Sequence, residues 1–457
     1  MPSIFKSSIS KPLTHQPPEP TSNSFWGYQA EYFRDPFSFL SKCSDKYGDI
    51  VLLNLGKYKF YFISSPNYIE QILVTNSTQF AKPDLDQFMN KLLGNGLVTS
   101  EGDFWHRQRK LMQPTFHNQH LANYQEIILS STNCSIETWK FGQTREICQE
   151  MKNLVLKSMM KIMFDSGIAR DSKEVKKIIR VGTDFFTQAF DRRLYSFPRW
   201  IMTPARLRLR KTFKSFDNLI YGIIRRRRTT TESKSDMLSM LQSVQDVDGN
   251  AMTDQQVRDE IMTLMVAASE TVSMALSWTW YLLSQNPKVE AKLIAELQAV
   301  LGDKKPSIAD FPQLRYTEMV VMEVLRLYPP DWFLSRKVIM QDCEIGGYAI
   351  PVGSTVCYSQ WVAHRDKRFF EKPEVFNPER WNSDLAKTLP KFAYFPFGGG
   401  SRSCFGKPLA MMLMILIITN IAQKFHLKLV PNHQVIPYPG VTLKPKYGVK
   451  MLVNKRE

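Results

Sequence analysis

Ten consecutive residues constrain this chain more than any others: Phe397-Gly398-Gly399-Gly400-Ser401-Arg402-Ser403-Cys404-Phe405-Gly406. Three glycines in a row let the backbone turn tightly and come close to something flat and bulky. An apolar helix is predicted directly afterwards, from about Pro408 to Ala422, so Cys404 sits at a helix mouth. Free N–H groups and the helix dipole there favour a thiolate over a thiol. A thiolate is a nucleophile or a soft metal ligand. Arg402 adds a fixed positive charge, and Phe397 can shield the sulfur from water. Taken alone, a cysteine beside a glycine turn reads equally well as plain core. A phosphate loop does not fit. It needs four residues between its first glycine and Gly-Lys, then Ser or Thr. Here five residues separate Gly400 from Gly406-Lys407, and Pro408 follows.

The string resembles the haem-ligand signature of the cytochrome P450 family, Phe-x-x-Gly-x-Arg-x-Cys-x-Gly, with every fixed position filled. The resemblance implies a mainly α fold with a smaller β region and haem b between two long helices. It implies Cys404 as the axial thiolate of the haem iron. Other stretches follow in family order. Trp105 and Arg109 lie at i and i+4, on one helix face. Both are donors that suit a carboxylate, and in the family this spacing serves a haem propionate. Arg336 resembles the second propionate partner; Phe397 and Arg402 complete the implied haem-binding set.

A capping box, Thr253-Asp254-Gln255-Gln256, opens a helix predicted to run to Ser284. Within it lies Ala267-Ala268-Ser269-Glu270-Thr271. Thr271 can bond back to the Ala267 carbonyl and loosen the helix, which leaves room for dioxygen and water. Glu270 and Thr271 form an acid–alcohol pair able to relay protons. The stretch resembles the family's oxygen-activation motif, with Ala268 for the usual Gly and Val272 for a frequent second Thr. Glu323 and Arg326, with Arg380 from Pro378-Glu379-Arg380-Trp381, resemble the family's structural charge cluster near the haem. Leu413 stands where the family usually has Glu.

The resemblance implies a monooxygenase: dioxygen, two electrons, and one oxygen atom inserted into a C–H bond. Phe88, Met89, Leu93, Met265, Ala267, Trp332 and Phe333 are the pocket candidates, each also readable as core packing. They point to a lipophilic substrate of fatty-acid or terpenoid type. A haem sensor or carrier would have no use for the acid–alcohol pair, and a peroxide-driven hydroxylase would typically lack it.

Net charge is +17, spread along the chain, with no nucleic-acid motif. An acidic protein partner or an anionic membrane surface fits this balance. Six cysteines without a C-x-x-C pair argue against a disulfide framework or zinc site and fit a reducing compartment. Residues 1–24, polar and carrying Pro12, Pro17, Pro18 and Pro20, read as a flexible leader before one domain, 25–457. The longest apolar run, Leu409 to Ile418, is short of the ~20 residues a span needs. The expectation is a soluble, cytoplasmic protein without a transmembrane anchor, open to peripheral membrane contact. No flavin or ferredoxin stretch follows Gly406, so a separate ferredoxin- or flavodoxin-type protein is expected to supply electrons. Locally, Tyr28 to Tyr47 reads as one helix with Phe33, Phe37, Phe39 and Leu40 on its apolar side. Ile50 to Leu55 and Tyr58 to Ile63 read as a hairpin. Phe80 to Val98 reads as irregular, and Arg225 to Arg228 as a solvated helix end.

Overall fold

Gly56, at φ +70°, turns the chain so that Ile50–Leu55 pairs antiparallel with Tyr58–Ile63, from Ile50↔Ile63 to Leu55↔Tyr58. The hairpin read from the sequence is therefore present. The computed structural model describes residues 16–21, 28–56, 58–83, 87–116, 118–164, 181, 203–229, 236–382 and 385–456. Backbone contacts divide the chain into two units: 1–83, 332–373 and 388–403 form one, and 84–331, 374–387 and 404–457 the other.

The first unit is organised on a five-stranded sheet. Its order is Ile50–Leu55, Tyr58–Ile63, Thr355–Tyr358, Leu334–Val338, Phe80–Ala81. Only Tyr58–Ile63 and Thr355–Tyr358 run parallel. Ile50, Leu52, Tyr61, Ile63, Val356 and Tyr358 share one buried cluster with Phe392 and Phe395. Asp35 splits the expected Tyr28-to-Tyr47 helix. It ends Gln29–Arg34 and caps Pro36–Tyr47, accepting from the Ser38 N–H. The split leaves Phe33 64% exposed, off the apolar side that Phe37, Phe39 and Leu40 bury. Part of the expected leader is docked as well. Pro17 and Pro20 are buried, and the Leu52 N–H donates to the Pro18 carbonyl. Residues 1–15 and 22–27 lie outside the described residues.

The second unit is helical, with a three-stranded sheet of Thr144–Glu146, Lys450–Lys455 and Phe425–Leu429. At its centre runs the long helix Asp254–Gln285, opened by the predicted capping box in both directions. It packs against Ile147–Phe164, Pro204–Thr229, Arg315–Leu327 and Lys407–Ala422. By length and composition this helix could cross a membrane, which the sequence reading missed by counting only uninterrupted apolar runs. However, 78% of its apolar window is buried inside the protein, as a core helix requires. Lys407–Ala422 is apolar all round and correspondingly buried from Met412 onward.

Two other expectations change here. Phe80 to Val98 is not wholly irregular: Gln87–Leu93 is helical, and Asp259 and Glu260 accept from the Asn95 and Leu97 amides. The arginine run is only partly solvated. Arg227 pairs with buried Asp236 at 2.6 Å, and Arg228 pairs with Asp254.

Candidate active site

Gly406 caps the helix Lys407–Ala422, and the Gly406 and Lys407 amides both stabilise the Cys404 sulfur. Arg109 adds positive charge. Against these stands burial, the largest effect, joined by the nearby charge of Asp331. The balance pushes the thiol pKa up, so the helix mouth alone does not make a thiolate here. Cys404 nevertheless has exposed surface. Deprotonation there needs a cation stronger than Arg109, and a coordinated metal ion is such a cation. Sulfur is the soft ligand that suits haem iron. Among the described residues no three His, Cys, Asp or Glu side chains gather to hold a bare metal ion. A metal that arrives in its own organic frame and takes one protein ligand fits this donor set.

Around Cys404 the second unit supplies an aromatic and cationic surround. The helix Gly102–Met112 presents Trp105, 4% exposed, and Arg109 on one face, as their spacing predicts. The Arg109 guanidinium lies 5.4 Å from the Trp105 ring and 5.8 Å from the Phe405 ring. Phe405 meets Phe116 edge-on at 4.7 Å.

In the first unit, Gly400 sits at φ +67°, and a Cβ there would collide with the Leu73 carbonyl. The close approach that the glycines permit is therefore made, at this position, to the protein's own backbone. Arg402 ends the turn Gly400–Arg402 and is half-buried, as is Phe397. Arg336 lies in the strand Leu334–Val338 and donates to the Ser335 carbonyl at 2.8 Å. Trp332 is buried against Phe37 and Phe333, at ring separations of 4.9 and 5.2 Å.

Midway along the long helix, the Thr271 hydroxyl donates to the Ala267 carbonyl at 2.7 Å. This is the back-bond expected from the sequence. Ala267 is exposed and Val266, Ala268 and Thr271 half-buried, while Met262 to Met265 and Val272 to Leu276 are buried. The middle of the helix therefore has an uncovered strip, and Thr271 lies on it. Glu270 does not. It is 6% exposed, its Oε2 lies 3.2 Å from the Lys152 ammonium, and its Oε1 accepts from the Thr442 hydroxyl at 3.4 Å. Adjacent residues project about 100° apart on a helix, so acid and alcohol are neighbours in sequence that face different ways. Among the pocket candidates, Ala267 is uncovered. Leu93 and Met265, 1% and 0% exposed, have no surface to offer and pack in the core. The side chains of Phe88 and Met89 lie outside the described residues.

Glu323, Arg326 and Arg380 form one buried network, more deeply enclosed than a helix pair alone would be. Arg326 meets Glu323 with two bonds, Nε–Oε2 at 2.9 Å and Nη2–Oε1 at 2.8 Å. Arg380 Nε donates to Glu323 Oε1 at 2.9 Å. The Trp381 indole and the Asn377 amide, at 3.0 Å each, fill the remaining acceptor sites.

The chain is similar to known proteins over most of its length. A family model described as Cytochrome P450 matches residues 17–452. Cyclooctatin synthase of Streptomyces melanosporofaciens is 32% identical over 418 residues, 90% of this chain and 89% of that protein. Cyclooctat-9-en-7-ol 5-monooxygenase of the same organism is 32% identical over 426 residues, 93% of this chain and 90% of that protein. Among solved structures, the cytochrome P450DA heme domain superposes with a TM-score of 0.85 at 25% identity, covering 96% of this chain and 97% of that one.

Proposed function

The chain belongs to the cytochrome P450 family and is a haem-dependent monooxygenase, and we propose that Cys404 is its iron ligand and a lipophilic small molecule of fatty-acid or terpenoid class its substrate. One observation carries the assignment of the site: a desolvated cysteine at a helix mouth, within one unit that also presents the uncovered Ala267–Thr271 strip. The substrate class is supported by that apolar strip and by the relative named for oxidising cyclooctat-9-en-7-ol. Trp105 and Arg109 are the residues of the second unit that would hold the haem and its propionates; for Arg336, Arg402 and Phe397 the same role is proposed from their resemblance to the family's haem-binding residues alone.

When bound, haem supplies dioxygen activation: two electrons and two protons are consumed, one oxygen atom enters a substrate C–H bond and the other leaves as water. Cys404 would donate charge to the iron, next to Phe405, whose ring meets Phe116 edge-on. The Thr271 hydroxyl, having spent its proton on the Ala267 carbonyl, keeps its lone pairs free to accept from water on the uncovered strip. Glu270 lies on another side of the same turn and must leave Lys152 and Thr442 to pass a proton to Thr271. Thr271→Ala is expected to cut product formed per reductant consumed about tenfold or more, with hydrogen peroxide making up the difference. Equal coupling in variant and parent would remove Thr271 from proton delivery.

Electrons are assigned to a separate acidic protein of ferredoxin or flavodoxin type. The net charge of +17 supports this, as do Lys110 and Lys407, both exposed on elements that carry the Cys404 surround. Such steering is screened beyond ~10 Å at ~0.1 M salt. The reduction rate should therefore fall as ionic strength rises and drop severalfold in Lys407→Glu. Rates indifferent to both changes would assign the charge to solubility alone. The cysteines are free thiols, which fits a cytoplasmic protein. Turnover of a lipophilic library with reductase against turnover with peroxide alone tests the reading; product only with peroxide would replace the redox-partner route.

A further inference from the structure

The stretch that leads to Cys404 departs from one buried residue. Phe395, two positions before Phe397, lies in no helix or strand, so its backbone groups have no ladder to join. Both are held by side chains from one short helix, Gln360–Ala363, and its cap. The Phe395 N–H donates to His364 Nε2 at 3.0 Å, and Gln360 Nε2 donates to the Phe395 carbonyl at 2.9 Å. Gln360 opens that helix and His364 closes it, four positions apart and so on one face. All three residues are buried.

The platform beneath is well anchored. The helix follows directly on Thr355–Tyr358, the middle strand of the five-stranded sheet. Ser359 joins the two: its hydroxyl donates to the Trp332 carbonyl at 2.8 Å and accepts from the Val362 N–H at 3.4 Å. The His364 ring lies against Tyr394 and Phe395, with centroid separations of 5.1 and 5.3 Å. Beyond Phe395 the chain stays with the first unit as far as Ser403, the residue before Cys404. The Gly398 N–H folds back to the Phe395 carbonyl at 2.9 Å, and a Cβ on Gly399 would collide with the Phe392 ring. An imidazole accepts from an amide only when it is neutral, so His364 carries its proton on Nδ1.

We infer that His364 and Gln360 are positioning residues for the iron ligand: they hold both backbone groups of Phe395 and so fix where the stretch leading to Cys404 departs. The inference rests on the assignment of Cys404 proposed above. The two contacts are not equal. The Phe395 carbonyl has a second donor in Gly398, whereas its N–H is given to His364. Removing the imidazole leaves a buried donor without its acceptor, and the backbone must shift to find another. Removing the Gln360 amide leaves the carbonyl still bonded. A shift at Phe395 alters the path of the chain to Cys404. Groups that orient a metal ligand from behind tune how firmly it binds.

The reduced, carbon-monoxide-bound spectrum of the holoprotein tests this, followed over time at one temperature below unfolding. In His364→Phe, which keeps a ring but offers no acceptor, the red-shifted thiolate band should be lost about tenfold faster than in the parent. In Gln360→Leu the loss should be faster than in the parent but by a smaller factor. His364→Gln, whose amide oxygen can accept from the same N–H, should return the lifetime towards that of the parent. The iron reduction potential should move in the same order. Ser158→Ala is the control: it removes an equally buried bond, to the Leu154 carbonyl at 3.0 Å in the second unit, and should leave band and potential as they are. Equal lifetimes in His364→Phe and the parent would overturn the inference. So would a His364→Gln as short-lived as His364→Phe, or the same loss in Ser158→Ala. If His364→Phe does not fold, the comparison of Gln360→Leu with Ser158→Ala decides it, equal lifetimes counting against. A parent without the red-shifted band would remove the Cys404 assignment and this inference with it; a parent that has the band, with variants no shorter-lived, would remove this inference alone.

Discussion

Cys404→Ser is expected to abolish the red-shifted Soret band of the reduced, carbon-monoxide-bound protein and to bring turnover with a redox partner down to background. The serine would keep the Gly406 and Lys407 amides and the neighbouring Arg109. It would lose the soft, readily ionised sulfur that binds haem iron strongly. The remaining cysteines do not offer a substitute. Burial pushes the Cys43 thiol up to about 12 and the Cys343 thiol up to about 11. Burial raises Cys148 and Cys357 as well, and Glu146 adds repulsion beside Cys148. Cys134 is exposed and accepts from Lys157 on the outer surface of its helix. An unchanged band in Cys404→Ser would place the ligand elsewhere and undo the site as argued here.

Signals that act over a few residues were legible before any coordinates. The Thr253–Gln256 capping box, the Gly56 turn and the Thr271-to-Ala267 back-bond all depend on groups within four positions of one another. The Trp105–Arg109 face and the Glu323–Arg326 pair belong to the same class. What the sequence hid is the direction of side chains whose partners lie far along the chain. Glu270 turns to Lys152 and Thr442, more than a hundred positions away in each direction, so its adjacency to Thr271 misled about where the acid points. Leu93 and Met265 look like pocket residues by type but are covered by tertiary packing. The helix mouth suggested a thiolate, while desolvation, which no local pattern reports, raises the Cys404 pKa.

Glu323→Ala is expected to destabilise the protein far more than any surface change. It would leave the Arg326 and Arg380 guanidinium groups, at 0% and 7% side-chain exposure, facing each other across an emptied acceptor site. It would also strip the Trp381 indole and the Asn377 amide of their acceptor. Removing one partner of a buried charge pair costs about 3–5 kcal/mol, because the other charge stays buried and uncompensated. Arg315→Ala is the control. It breaks an ion pair with Glu318 on the same helix, but those side chains are 60% and 38% exposed, and such pairs are worth less than about 1 kcal/mol. The thermal midpoint should fall steeply in Glu323→Ala, with poor retention of haem, and hardly move in Arg315→Ala. Glu323→Gln should fall between them, since its amide oxygen still accepts from Trp381 while the charge is lost. Similar midpoints for Glu323→Ala and Arg315→Ala would mean that water enters the site and solvates the arginines. The cluster would then be dispensable, against the structural role given to it here.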